Sequence, residues 1–201
     1  NGTSEGPFDL VIDATGAASP LSPIKNRPLP FGALWATVNW PSDTDLPPDR
    51  LSQKYRKAAI MAGVLPIGRL PGKRMQKAAI FWSMRHRDYS DWRACDFGGW
   101  QTQVYDFWPD FAPFLSQIEG PDGFTLARYS HGTLRRPYEA RLVQIGDAAH
   151  TASPQLGQGA NMALLDAWAL ATCLAALPPD QALPAYAKSR RLHLLTYQGF
   201  S

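Results

Sequence analysis

Apolar positions along the chain come in short runs whose period changes. Phe8-Asp-Leu-Val-Ile12 is a compact apolar run closed by Asp13-Ala-Thr-Gly16, which predicts a buried strand and a turn. Residues 20–32 hold five prolines and glycines and predict a crossing loop. Leu34, Ala36, Val38 and Trp40 then alternate with Trp35, Thr37 and Asn39, the period-two pattern of a half-buried strand. Ala58 to Ile67 reads as a strand ended by Pro66. Leu70-Pro71-Gly72-Lys73 carries the type II turn residues, and Ala78 to Met84 returns as a strand, so the pair predicts an antiparallel hairpin. Trp100, Val104, Phe107, Phe111, Leu115 and Ile118 recur at helical spacing, with Pro109 as a break. Phe124 to Tyr129 and Leu142 to Ile145 are further strands. Asn161 to Leu177 is apolar almost all round, which predicts a buried helix. Pro178-Pro179 ends it, and Asp180 is positioned to cap a last helix running to about Gln198.

Composition narrows this picture without deciding it. A length of 201 residues suits one sizeable domain or two small ones. The net charge of +3 is small and the Lys and Arg read as dispersed, which argues against nucleic acid. Arg135-Arg136 and Arg190-Arg191 read as solvated faces or helix-end charges. Cys95 and Cys173 read as free thiols of a reducing, cytoplasmic compartment. No apolar run reaches about 18 residues, so no membrane span is expected, and no signal peptide is read. The loop-like start at Asn1 and the stop at Phe200-Ser201 suggest a piece of a longer protein.

The one segment specific enough to suggest chemistry runs from Arg141 to Asn161. An apolar strand ends in Gly146-Asp147. A loop with Pro154 follows, then Gly157-Gln158-Gly159 and the start of the long apolar helix at Ala160-Asn161. Three glycines and a proline at fixed places arise by chance about twice in 100,000 starting points. Strand, acid at the strand end, loop, glycine pair and helix form a nucleotide or flavin site in α/β proteins. A carboxylate at Asp147 suits the hydroxyls of a ribose or ribityl chain. Gly157 and Gly159 let a flat ring approach the backbone, and the helix start favours negative charge. A phosphate-binding loop would want Lys and Ser or Thr after the glycines, and Ala160-Asn161 stand there instead.

These residues resemble the flavin-dependent aromatic monooxygenases, the family of para-hydroxybenzoate hydroxylase and the ubiquinone-pathway hydroxylases. The resemblance rests on Gly146-Asp147-Ala148-Ala149-His150, Pro154, Gly157-Gln158-Gly159, Asn161 and Asp166-Ala167. Tyr186, Arg190 and Arg191 resemble the family's last helix. Upstream, Asp9-Leu-Val-Ile-Asp13-Ala14-Thr15-Gly16-Ala-Ala-Ser19 is similar to a second family segment, with Thr15 for the usual acid and Ser22 for the usual Arg. The Gly-x-Gly-x-x-Gly turn with which the family begins is not found.

The resemblance implies an α/β fold, α+β as a fragment: part of a FAD-binding Rossmann-like domain with an inserted antiparallel β-sheet substrate domain. Residues 1–28 and 137–201 would belong to the FAD domain, residues 29–136 to the substrate domain, and the N-terminal half of the FAD domain would be missing. FAD would be bound by Gly146, Asp147, Pro154, Gly157, Gln158, Gly159, Ala160 and Asn161, with Thr15 and Gly16 from the upstream segment. NAD(P)H would be the reductant and a flavin C4a-hydroperoxide would hydroxylate an apolar or aromatic small molecule. No side chain is assigned as catalytic, and His150 reads as structural. Halogenase or isoprenoid-chain reductase chemistry on the same fold remains open, as does a binding module without cofactor. The aromatic-rich middle is either a core or a pocket for a flat substrate.

Overall fold

A computed structural model describes residues 5–57, 59–154 and 157–200. Asn1 to Ser4 of the expected leading loop, and Ala58 at the start of an expected strand, lie outside them. In chain order the strands are β1 (Val11–Asp13), β2 (Arg27–Asn39), β3 (Ser52–Arg56), β4 (Ile60–Arg69) and β5 (Gln76–Arg85). Three short helices follow, α1 (Tyr89–Arg93), α2 (Phe97–Phe107) and α3 (Ala112–Leu115). Then come β6 (Thr125–Thr133), β7 (Leu142–Gln144), β8 (His150–Thr151), and the helices α4 (Gly159–Ala176) and α5 (Pro179–Gly199). The chain divides into two compact units: residues 1–29 with 129–201, and residues 30–128.

The middle unit is an antiparallel sheet backed by helices. β4 and β5 form the expected hairpin, with Val64 opposite Ile80 and Ala62 opposite Trp82. β2 lies on the far side of β5, Leu34 opposite Trp82, and β3 on the far side of β4. Alternation sends Leu34, Ala36, Val38, Ala62, Val64, Ala78, Ile80, Trp82 and Met84 to one face. There they bury against Trp92, Trp100, Val104, Phe107, Phe111 and Phe114. The helical aromatics are therefore core residues of this unit. Pro109 breaks the helix as expected: Trp108 leaves helical geometry at φ −145° and ψ 89°, and a 3-10 turn over Pro109–Phe111 leads into α3.

Several boundaries differ from expectation for local reasons. β2 begins at Arg27, inside the expected loop, and Pro28 and Pro30 precede Phe31, the first residue registered against β5. β4 passes through Pro66 to Arg69 because the register shifts between Pro66 and Gly68, a bulge that absorbs the proline. β3 is a polar edge strand with no apolar alternation to announce it.

On the opposite sheet face Gly63, Phe81 and Trp35 form one row across three strands. The Phe81 ring lies over Gly63 so closely that a Cβ there would stand 2.2 Å from it. Gly63→Val is expected to lower unfolding free energy by about 1–3 kcal/mol through overpacking; an unchanged urea midpoint would refute this.

The other unit holds a parallel pair, β1 beside β7, with Asp13 level with Gln144. Val143, Leu170, Leu183 and Tyr186 pack against this pair as a small core. The end of β6 pairs with β8, Gly132 opposite Thr151. The α4 helix is not buried all round: Leu164 and Trp168 are 70% and 76% exposed, while Met162, Asp166 and Leu170 face inward at i, i+4, i+8 spacing. It also meets the length and apolarity of a membrane-crossing helix, 18 residues at mean hydropathy 1.3, contrary to the expectation of no such run. Its midpoint Asp166 carries an ion pair that fixes it within the unit. Pro178 rather than Asp180 precedes α5, and Asp180 lies in its first turn with no capping hydrogen bond.

Candidate functional site

The parallel strands β1 and β7 end side by side. The Ile145 N–H donates to Asp13 O at 3.0 Å, bringing Thr15-Gly16 beside Gly146-Asp147 at the carboxyl edge of the pair. Open α/β sheets bind ligands at that edge. Gly146 turns the chain at φ +58°, and a Cβ there would stand 3.0 Å from the Ala163 side chain, so the turn and its closeness to α4 both call for glycine.

Behind the turn is a buried hub. Asp166 Oδ2 accepts from the Gly146 N–H at 2.9 Å and lies 2.6 Å from His150 Nε2, and Oδ1 accepts from Arg190 Nε at 2.7 Å. Asp166, His150 and Arg190 are 0%, 3% and 7% exposed. Burial pushes the Asp166 carboxyl pKa up. The hydrogen bond and charge of His150, with the Arg190 and Gly146 hydrogen bonds, outweigh that and leave it below the ordinary carboxylate value. The ionised carboxylate only accepts, so His150 donates from Nε2. Burial and the Asp166 charge in turn push the Tyr186 phenol upward.

A second buried carboxylate, Asp13, shapes the β1 end. It accepts from Ser19 Oγ at 2.6 Å, Thr15 Oγ1 at 2.7 Å and the Thr15 N–H at 3.1 Å. Burial raises its pKa, and these three hydrogen bonds more than offset the rise. The Thr15 hydroxyl is thus spent on Asp13, while Gly16, at φ +88°, has open space beside it. Ser22, where the family has Arg, donates from Oγ to Ala148 O at 2.5 Å and ties the segment to the Gly-Asp turn.

The remaining expected residues form an exposed rim. Asp147 is exposed, and among the described residues its carboxylate has no hydrogen-bond partner. Pro154 O accepts from the Gly157 N–H at 2.8 Å, closing the loop before α4. Gly157 turns at φ +61°, and nothing lies within 4 Å of a Cβ at Gly157 or Gly159. Asn161 donates to Gln158 Oε1 at 2.8 Å. Among the described residues no side chain caps α4, and the N–H groups of Gly159, Ala160 and Asn161, in its first turn, have no intrahelical acceptor. An outward carboxylate, an open glycine surface and an uncapped 18-residue helix fit the ribityl chain and ring of a flavin.

Sequence reasoning undervalued three residues. In the sequence Asp13 reads as a turn residue within the upstream family segment, Asp166 as a motif match, and Arg190 as a solvated or helix-end charge that resembles the family's last helix. Asp166 announced itself as the one acid in an apolar helix. Its partner Arg190 is 24 residues away, and only the packing of α4 on α5 joins them.

The FAD binding domain family matches residues 118–194. The flavin-dependent oxygenase ucdD of Aspergillus ustus is 28% identical over 182 residues, 78% of this chain and 27% of the oxygenase. The 3-amino-4-hydroxybenzoate 2-monooxygenase PtmB3 of Streptomyces platensis is 50% identical over 99 residues, 48% of this chain and 23% of that enzyme. Among solved structures, P. aeruginosa PqsL in complex with 2-aminobenzoylacetate superposes with a TM-score of 0.78 at 22% identity, over 96% of this chain and 53% of PqsL. Klebsiella pneumoniae HpxO complexed with FAD and uric acid gives 0.74 at 18% identity, over 94% and 49%. The chain thus spans about half the length of these solved proteins and about a quarter of the sequence relatives. Residues 118–194 thus match the FAD binding domain family, and the chain is similar to proteins named as flavin-dependent oxygenases and monooxygenases and shares the fold of PqsL.

Proposed function

We propose that the chain supplies the ribityl and ring end of a FAD site, and the substrate-facing sheet, of an NAD(P)H-dependent monooxygenase acting on an apolar or aromatic small molecule. The observation that carries this is the exposed Asp147 carboxylate, without a hydrogen-bond partner among the described residues, beside the start of α4, where none of the described side chains forms a cap, both held by the Asp166 hub. Bound FAD would accept hydride from NAD(P)H and use dioxygen to hydroxylate the substrate. Asp147 would accept from ribityl hydroxyls. Gly157 and Gly159 would leave room for the ring, and the N–H groups of residues 159–161 would favour negative charge on it. Thr15 and Gly16 would border the same edge, with Thr15 acting through the backbone because its hydroxyl serves Asp13.

Residues 1–29 and 129–201 would then form the FAD-binding part and residues 30–128 the substrate part. The reading of an aromatic substrate draws support from the sheet face bearing Trp35 and Phe81, whose rings are 4.7 Å apart. It also draws on relatives named for 3-amino-4-hydroxybenzoate. The two free thiols accord with a cytoplasmic setting. The test is Asp147→Ala in the full-length gene product. FAD affinity should fall about tenfold or more, as the loss of a charge-assisted hydrogen bond implies. Unchanged affinity would remove Asp147 from the site, and a colourless full-length protein indifferent to FAD would sink the reading.

A further inference from the structure

The positive charge of the chain is concentrated in one sheet. From Arg50 to Arg87 there are ten Lys and Arg and no acid. The other 163 residues hold the remaining ten basic residues and all 17 acids, a net charge of −7. The run is β3, β4, β5 and their turns, so residues that read as dispersed along the chain gather on one hairpin and its edge strand.

The tip of that hairpin has a further property. Beyond the last registered pair, Arg69 opposite Gln76, the turn Leu70–Met75 projects. It closes with the Lys73 N–H donating to Leu70 O at 3.0 Å and Gly72 at φ +73°. Ile67, Leu70 and Met75 are 48%, 57% and 56% exposed. Arg69, Lys73 and Arg74, exposed between them, have no carboxylate within 4.0 Å among the described residues. Arg50 and the exposed Leu51 precede β3 at the end where β4 runs on to the tip. Asp49 and Asp88 flank the basic run, and Asp88 is paired with Arg87 at 3.4 Å.

We propose that this hairpin tip docks on an anionic lipid surface, Leu70 and Met75 entering the headgroup layer while Arg69, Lys73 and Arg74 meet lipid phosphates and carboxylates. Edge protection alone explains Lys and Arg on β3, but it does not call for exposed Leu and Met between cations at a convex tip. Protein interfaces of ordinary strength need a patch of about 800 Å² per partner and are depleted of Lys. A lipid headgroup layer takes both kinds of side chain at once, apolar groups at shallow depth and cations above them. The inference does not depend on the flavin reading.

The test is cosedimentation of the 201-residue chain with vesicles of phosphatidylcholine alone or with 30% phosphatidylserine, mixed on the order of physiological ionic strength. Binding should require phosphatidylserine and weaken with salt. It should fall about a hundredfold in Arg69→Gln/Lys73→Gln/Arg74→Gln, and about tenfold or more in Leu70→Ser/Met75→Ser. Every substituted side chain is exposed, so unchanged melting temperatures would confirm folded variants. No preference for phosphatidylserine vesicles overturns the proposal. Full binding by Leu70→Ser/Met75→Ser also overturns it and assigns the patch to an acidic protein or other polyanion. Self-association abolished by the same substitutions assigns the tip to a second copy of the chain, and likewise overturns it.

Discussion

Asp166→Ala is expected to cost about 3–5 kcal/mol of unfolding free energy, because it leaves a buried guanidinium without its partner. Arg190 is 7% exposed and donates from Nε to Asp166 at 2.7 Å, and its contacts with His193 Nδ1 and with the carbonyl and sulfur of Met162 bring no negative charge to replace it. The same substitution removes the acceptor for the Gly146 N–H and for His150 Nε2. Asp166→Asn should recover part of the loss by shape, while still leaving Arg190 unneutralised. Urea unfolding of the three proteins measures the effect. A cost below about 1 kcal/mol for Asp166→Ala would mean that the hub contributes no more than a surface pair. Since the hub holds the Gly-Asp turn, the full-length Asp166→Asn variant should also bind FAD more weakly, although Asp166 does not face the rim.

The sign of the pH effect follows from the same hub. Folding depresses the Asp166 pKa, so its contribution to stability is fully present above the unfolded value of about 3.9 and is lost as pH falls through the lower folded value. Asp13 acts in the same direction through Ser19 and Thr15. Wild type should therefore lose stability in acid more steeply than Asp166→Asn, and parallel curves below pH 4 would contradict the assignment.

How much of this was legible in the sequence depended on whether a signal was local. The Gly146 to Asn161 segment was, because a glycine forced to positive φ, an acid at a strand end and an unbranched helix start are each dictated by neighbours along the chain. The β4–β5 hairpin was legible because Pro71-Gly72 fixes the turn and period two fixes the faces. The β3 strand was not, because Ser52–Arg56 is polar on both faces and is a strand only by virtue of β4 beside it. The exposed side of α4 was not legible either: an apolar residue type states a preference, while burial depends on what packs there, and Leu164 and Trp168 have no cover within their unit. The Thr15 replacement could be seen but its consequence could not, since only the folded turn shows its hydroxyl turned back to Asp13.

Trp100→Ala should be the most damaging single change in the middle unit, costing about 3–5 kcal/mol. Trp100 is 9% exposed, and its ring meets four others: Trp82 at 5.9 Å, Trp92 at 5.4 Å, Phe97 at 5.4 Å and Phe124 at 5.8 Å between centroids. Three of those contacts are edge-on, at interplanar angles of 80–88°, the geometry in which aromatic pairs gain beyond their buried area. Their partners come from β5, α1 and the residue preceding β6, so one truncation opens a cavity bordered by three separate elements. Rigid rings cannot collapse into such a space, which places the cost at the upper end of large-to-small substitutions. Trp100→Phe should recover at least half of the loss, because a ring remains to meet the same edges. If the helical aromatics instead lined a substrate pocket, Trp100→Ala would leave the urea midpoint nearly unchanged and alter only turnover in the full-length enzyme. A large loss of stability in the isolated chain is the result that a core role requires.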